Sequence, residues 1–172
     1  MAGIAMLIVR VVVGGLLAGH GAQKLFGWFG GHGPKATAQA MESMGLKPGG
    51  LWAPMAGLSE LGGGVLTAVG FLNPLGPIAI MAAMTMATIK AHWNKPIWNT
   101  EGGAELPVTY MTVALAIALA GPGRYSLDAA LLLRLPASLV AAVAVAAAAG
   151  VATGAAAPAL LAGERARGEQ AA

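Results

Sequence analysis

Few side chains in this sequence can hold a charge or carry a proton, and most of those stand inside apolar runs. Glu60 lies about ten residues into the run 51–72. Arg10, His20, Gln23 and Lys24 interrupt the run 4–26, and His92 closes a third run, 78–93, beside Lys90, Trp93 and Lys95. An ionised group in hydrocarbon is strongly unfavourable unless it is paired or hydrated. Glu60 therefore needs a cation or a proton, and Arg10, His20 and Lys24 on the preceding run are the available partners. A carboxylate and histidines gathered at one place can take up and release protons. Glu60, His20 and His92 are thus the candidate proton-carrying catalytic residues. Gln23, Lys24, Arg10 and Trp98 are the candidates for holding a cofactor.

The same residues have structural uses. Lys24 can snorkel at a helix end, and His20 can be a hydrogen-bonded packing residue. Glu60 and a cation can form a buried pair that only fixes helix register. His92 can belong to an interfacial aromatic belt, and Glu105 and Thr100 can cap a fourth helix. Met81, Met84, Thr85, Thr88 and His92 share one helical face, and methionines on such a face usually fill core space.

Several chemistries are excluded or disfavoured. The chain has no cysteine, so disulfides, persulfides and Cys-ligated iron–sulfur clusters are absent from it. Electron transfer would have to use a bound molecule or a partner protein. Its three histidines, His20, His32 and His92, fall on separate segments with no pair at ligand spacing, so no metal site is expected. No phosphate-cradling glycine loop, dinucleotide fingerprint or H-E-x-x-H is present. Ten basic residues scattered over a hydrophobic chain do not make a nucleic-acid surface.

The elements that must position these groups follow from composition. Of 172 residues, 57% are hydrophobic and 10% charged, far from the roughly one quarter charged residues of soluble domains. A membrane crossing takes about 20 apolar residues. Apolar runs at 4–26, 51–72, 78–93 and 105–120 predict four spans. The alanine-dominated run 136–161 predicts a fifth. The first run carries no side-chain charge before Arg10, which argues for a retained helix rather than a cleaved signal. Residues 36–44 predict a short surface helix, Asn73-Pro74 a tight hairpin between spans two and three, and residues 127–135 a short interfacial helix. Residues 164–172 read as a disordered tail. The expected fold is an all-α integral membrane protein, a four-helix transmembrane bundle over 1–130 with a fifth, Ala-rich C-terminal helix within 131–163.

Helical geometry gathers the polar residues of the first span. Arg10 and Lys24 lie within about 40° of each other around the helix, with His20 about 40° beyond. Gly3, Gly14 and Gly21 fall on the Arg10 stripe, and Gly57, Gly64 and Thr67 on that of Glu60. Faces that combine small residues with charges should meet other helices. Lys24, Lys35, Lys47, Lys90, Lys95, Arg165 and Arg167 fall on one side of the five-span topology, Arg124 and Arg134 on the other. This places the long first and third loops in the cytoplasm.

The stretch His20-Gly-Ala-Gln-Lys-Leu-Phe-Gly-Trp-Phe-Gly-Gly31 resembles the signature that ends the first helix in the DoxX family. Glu60-Leu-Gly-Gly-Gly64, His92, Trp98-Asn-Thr-Glu-Gly-Gly103, Glu105, Pro107 and Gly121-Pro-Gly-Arg-Tyr-Ser-Leu-Asp128 follow in that family's order. The resemblance covers roughly residues 5–130. It implies a small four-helix inner-membrane protein similar to the membrane subunit of thiosulfate:quinone oxidoreductase, or to proteins of oxidative-stress complexes. Quinone is the implied cofactor, and membrane lipid and soluble redox proteins are the implied partners; an oligomer is open. Pro96-Ile97 before Trp98, and Ala104 and Leu106 around Glu105, depart from the family pattern. A non-catalytic scaffold for soluble redox enzymes and a small-solute transporter or channel are the rival functions.

Overall fold

A computed structural model describes residues 1–157 with their side chains and continues the last helix in backbone to Gln170. The disordered tail expected over 164–172 lies outside the fully described residues. Helices are α1 (Ala2–Phe26), α2 (Gly33–Ser43), α3 (Gly49–Val69), α4 (Leu75–Ala87), α5 (Glu105–Ala120), the single turn α6 (Leu127–Ala130) and α7 (Ala137–Gln170). A π-helical turn, Thr88–His92, continues α4, and a 3₁₀ turn, Asn99–Glu101, precedes α5. There is no strand among the described residues.

The helices fall where hydrophobic periodicity places them, and their ends depart from it for local reasons. α3 stops at Val69 because Gly70 turns the chain at φ +66°, a conformation glycine adopts without a Cβ penalty. A Cβ there would also collide with the Arg10 guanidinium. α4 starts three residues earlier than expected, because Pro77 fits within a first turn, where its missing N–H has no intrahelical partner to lose. The interfacial helix expected over 127–135 shrinks to one turn, and Leu132 beyond it adopts φ +52°.

α1 packs along α3, α3 against α4, α4 against α5, and α5 touches α1; α2 lies across α1 and α3, and α7 rests on α4. The interior is small. Leu17, Ile80, Met84 and Ala114 are buried together, with Val13, Met81 and Tyr110 against them. The methionine face of α4 is therefore packing, as its composition suggested. Thr85 and Thr88 satisfy their hydroxyls within it by donating to the carbonyls of Met81 and Met84 at 2.7 and 2.9 Å.

Much of the exterior is apolar. Ile8, Val12 and Leu16 on α1, Leu58 on α3, Leu119 on α5 and Val145 on α7 are all exposed. Water would penalise such a continuous apolar surface, whereas hydrocarbon solvates it. α1 and the Ala137–Ala157 part of α7 are long and apolar enough to cross a membrane, and α5 is apolar but shorter.

Glycines set the α1–α3 contact. A Cβ on Gly14 would lie 2.5 Å from the Gly64 carbonyl oxygen and 2.6 Å from the Ala68 nitrogen. The two backbones touch with no side chain between them, the geometry small residues permit between membrane helices. Gly64→Ala should therefore destabilise the protein by about 1–3 kcal/mol through overpacking. Gly15→Ala, where a Cβ meets nothing within 4 Å, should leave the melting temperature unchanged or raise it. Thermal unfolding of both variants in detergent checks the pair, and equal effects would show that backbone contact does not hold α1 to α3.

Candidate functional site

The close approach of α1 and α3 continues to Gly21, whose Cα faces Leu61 and the Gly57 carbonyl. One turn later Lys24 emerges beside α3, and its Nζ donates to Glu60 Oε2. The Glu60 side chain is 5% exposed and that of Lys24 28%. The carboxylate is thus buried, while the ammonium bridges towards the end of the helix. Gly27, in the left-handed conformation, ends α1 one turn beyond Lys24. α2 is then tied back, with Thr37 Oγ1 donating to the Lys24 carbonyl of α1 at 3.4 Å.

The ion pair lies on the wall of a partly open cavity of about 460 Å³ lined by α2, α3, α4 and α7. This volume falls within the range of small-molecule sites. Its surface is predominantly apolar: Met41 from α2 and Met44 just beyond it, Trp52 and Met55 from α3, Met86 from α4, and alanines from α4 and α7. Ser59, Lys24, Glu60 and Lys90 supply its polar groups. Apolar walls with a few convergent polar groups are the usual make-up of a ligand site.

The other sequence candidates are held elsewhere. Arg10 is not a partner of Glu60, although helical angle put it on the same face as Lys24. It is fourteen positions away, in the N-terminal half of α1, and is 1% exposed. There it donates through Nη1 to the Ala68 carbonyl at 3.2 Å and through Nη2 to the Tyr125 carbonyl at 2.6 Å. Asp128 faces the same junction, its two oxygens accepting from the Leu72 and Asn73 N–H groups at 2.8 Å each. Arg10 and Asp128 thus fasten α1, the α3–α4 turn and the segment before α6.

His20 does not join Glu60 either. It is exposed, and its Nδ1 faces Gln23 Oε1 at 3.1 Å. Gln23 Nε2 donates in turn to the Phe29 carbonyl at 3.2 Å, which orders the loop after α1. His92 Nδ1 donates to the Gly102 carbonyl at 2.6 Å, pinning the loop after α4 to the π turn. Trp98 is exposed and heads the 3₁₀ turn. Its carbonyl accepts from the Gly103 N–H at 2.9 Å. Glu105 caps that turn rather than α5, accepting from the Asn99 N–H at 2.8 Å, and no side chain, Thr100 included, caps the start of α5. The expected cluster therefore separates into four places. Only Lys24 and Glu60 of the seven candidates line the cavity.

Sequence reasoning missed Trp52 and the α7 wall, and it took Lys90 only as an orientation charge. Lys90 offers the one signal available beforehand, an ammonium within the third apolar run. Among the described residues no group of three His, Asp or Glu converges as a metal site.

The arrangement can hold a polar head against Lys24, Ser59 and Glu60 while the rest of a hydrophobic molecule contacts apolar wall. A family model described as DoxX matches residues 5–93. No curated protein and no solved structure matches the chain.

Breaking the pair from one side strands a charge in a poorly hydrated place. Glu60→Gln and Lys24→Met should each destabilise the protein by roughly 3 kcal/mol. The double variant should be less destabilised than the sum of the two singles, because no orphan charge remains. Denaturation of the four forms gives the coupling; additive effects would mean that the two side chains do not interact.

Proposed function

The chain belongs to the DoxX family, and from that membership and the charged pair on the cavity wall we propose that it is a multi-pass membrane subunit that binds quinone for a quinone-linked oxidoreductase. In this reading α1, α3, α4 and α5 form a four-helix transmembrane bundle in the cell inner membrane, and α7 adds a fifth span. Lys24, Lys35, Lys47, Lys90 and Lys95 stand at the end that the positive-inside rule assigns to the cytoplasm.

The observation that carries the reading is the Lys24–Glu60 pair at the edge of an apolar volume large enough for a ring with part of its tail. A bound quinone supplies an acceptor for two electrons and two protons. The protein's own part is to bind, orient and handle protons. Lys24 presents N–H donors to a carbonyl oxygen, since an ammonium carries three and Glu60 occupies one. Glu60 holds Lys24 in place and is the carboxylate within reach of a proton delivered through the partly exposed Lys24 end. Methionine and alanine walls keep bulk water from the head. Electrons enter from a soluble redox protein docked on the same side, where the 27–32 and 93–104 loops lie. His20, Gln23, His92 and Trp98 shape those loops rather than the pocket.

Trp52 provides the readout, because it lines the cavity while Trp28, Trp93 and Trp98 are exposed. In a variant with those three replaced by phenylalanine, a short-tailed quinone should quench Trp52 fluorescence saturably. Glu60→Gln and Lys24→Met should weaken that binding about tenfold or more, equivalent to 1.4 kcal/mol or more. His20→Ala should leave it unchanged. Quenching that never saturates, or that ignores both cavity substitutions, would refute the assignment and favour a scaffold without a quinone site.

A further inference from the structure

The cavity is elongated. Its α4 wall runs from Leu75 to Ala91 along one face, a distance of about 24 Å at 1.5 Å per residue. Opposite it, Val143, Ala146, Ala147, Gly150 and Val151 of α7 recur at helical spacing, so small side chains line much of its length. That length suits an extended hydrocarbon chain.

The charges are unequal along this slot. Lys24 is neutralised by Glu60. Lys90, at the end of α4, has no carboxylate partner among the described residues, and its Nζ donates to the Ala155 carbonyl of α7 at 3.1 Å. Two ammonium N–H groups remain. Its end of the slot is closed by Gly154, where a Cβ would meet Met86 and the Trp52 ring. Lys90 therefore marks one end of a long apolar slot with an ammonium that has no carboxylate partner among the described residues, and it bonds the residue next to Gly154, which packs on Trp52.

We propose that this slot binds a long-chain carboxylate, its head on Lys90 and its hydrocarbon chain running between α4 and α7 towards Leu75. One ammonium matches a singly charged carboxylate; a phosphate monoester would leave excess negative charge in an apolar slot. The proposal does not rest on quinone binding, although the two ligands would exclude each other from the same volume.

The test uses the full chain with Trp52 as its only tryptophan, in phosphatidylcholine nanodiscs. The probes are stearates carrying a nitroxide near the carboxylate or at the methyl end. The expected result is saturable quenching, stronger for the near-carboxylate label, and at least tenfold weaker for the methyl ester. Lys90→Met should weaken binding to the same degree and Lys90→Arg should restore it. Ala146→Leu, which fills the slot without changing charge, should abolish it. Equal quenching by acid and ester in the parent protein would overturn the proposal, and that comparison needs no substitution at Lys90. Stronger quenching by the methyl-end label, indifference to both Lys90→Met and Ala146→Leu, or tighter binding of a lysophosphatidate would each overturn it too. No probe contains a quinone, so these outcomes stand apart from those of short-tailed quinone binding.

Discussion

Backbone contact between α1 and α3 is the constraint on which the other arrangements depend. With glycine at 14, 21 and 64, main chain meets main chain, and the two helices are locked in translation as well as rotation. Register then decides which charged side chain of α1 meets which group of α3. Arg10 comes level with the Ala68 carbonyl and Lys24 with Glu60. A bulkier interface would separate the axes, and both contacts would have to stretch. Close packing and internal polar contacts of this kind are also what can hold helices together in hydrocarbon, where the hydrophobic effect contributes nothing.

The elements were legible because apolar runs, glycines and prolines act locally. Each of the four long runs and the alanine segment became a helix near its expected place, and the small-residue stripes met as their spacing required. The candidate site was only partly legible. Angular position on α1 grouped Arg10, His20 and Lys24, but height along the axis separates Arg10 from Lys24, and a helical wheel carries no height. His20 and His92 looked chemical by residue type, yet a neighbouring amide and a loop carbonyl take up their Nδ1 atoms. The cavity could not be read at all, because it is a space between α2, α3, α4 and α7, and no local pattern states that α7 docks on α4.

The π turn at Thr88–His92 shows how the third loop is supported. Such turns insert an extra residue and often occur where function shifts a helix out of register. Here the turn carries both Lys90, which reaches α7, and His92, which reaches Gly102. The loop with the sequence Trp-Asn-Thr-Glu-Gly-Gly folds on itself through Trp98, Asn99 and Glu105. Those residues build a compact lip beyond the helix ends and leave the interior to other side chains.

The two halves of α1 are fastened by unlike chemistry. In the N-terminal half a guanidinium grips main-chain carbonyls. Near the C-terminal end an ammonium grips a carboxylate on the wall of the cavity. The first fastening is shut away beside a turn, whereas the second faces an open volume. Any molecule entering that volume therefore touches the joint that sets how α1 lies on α3.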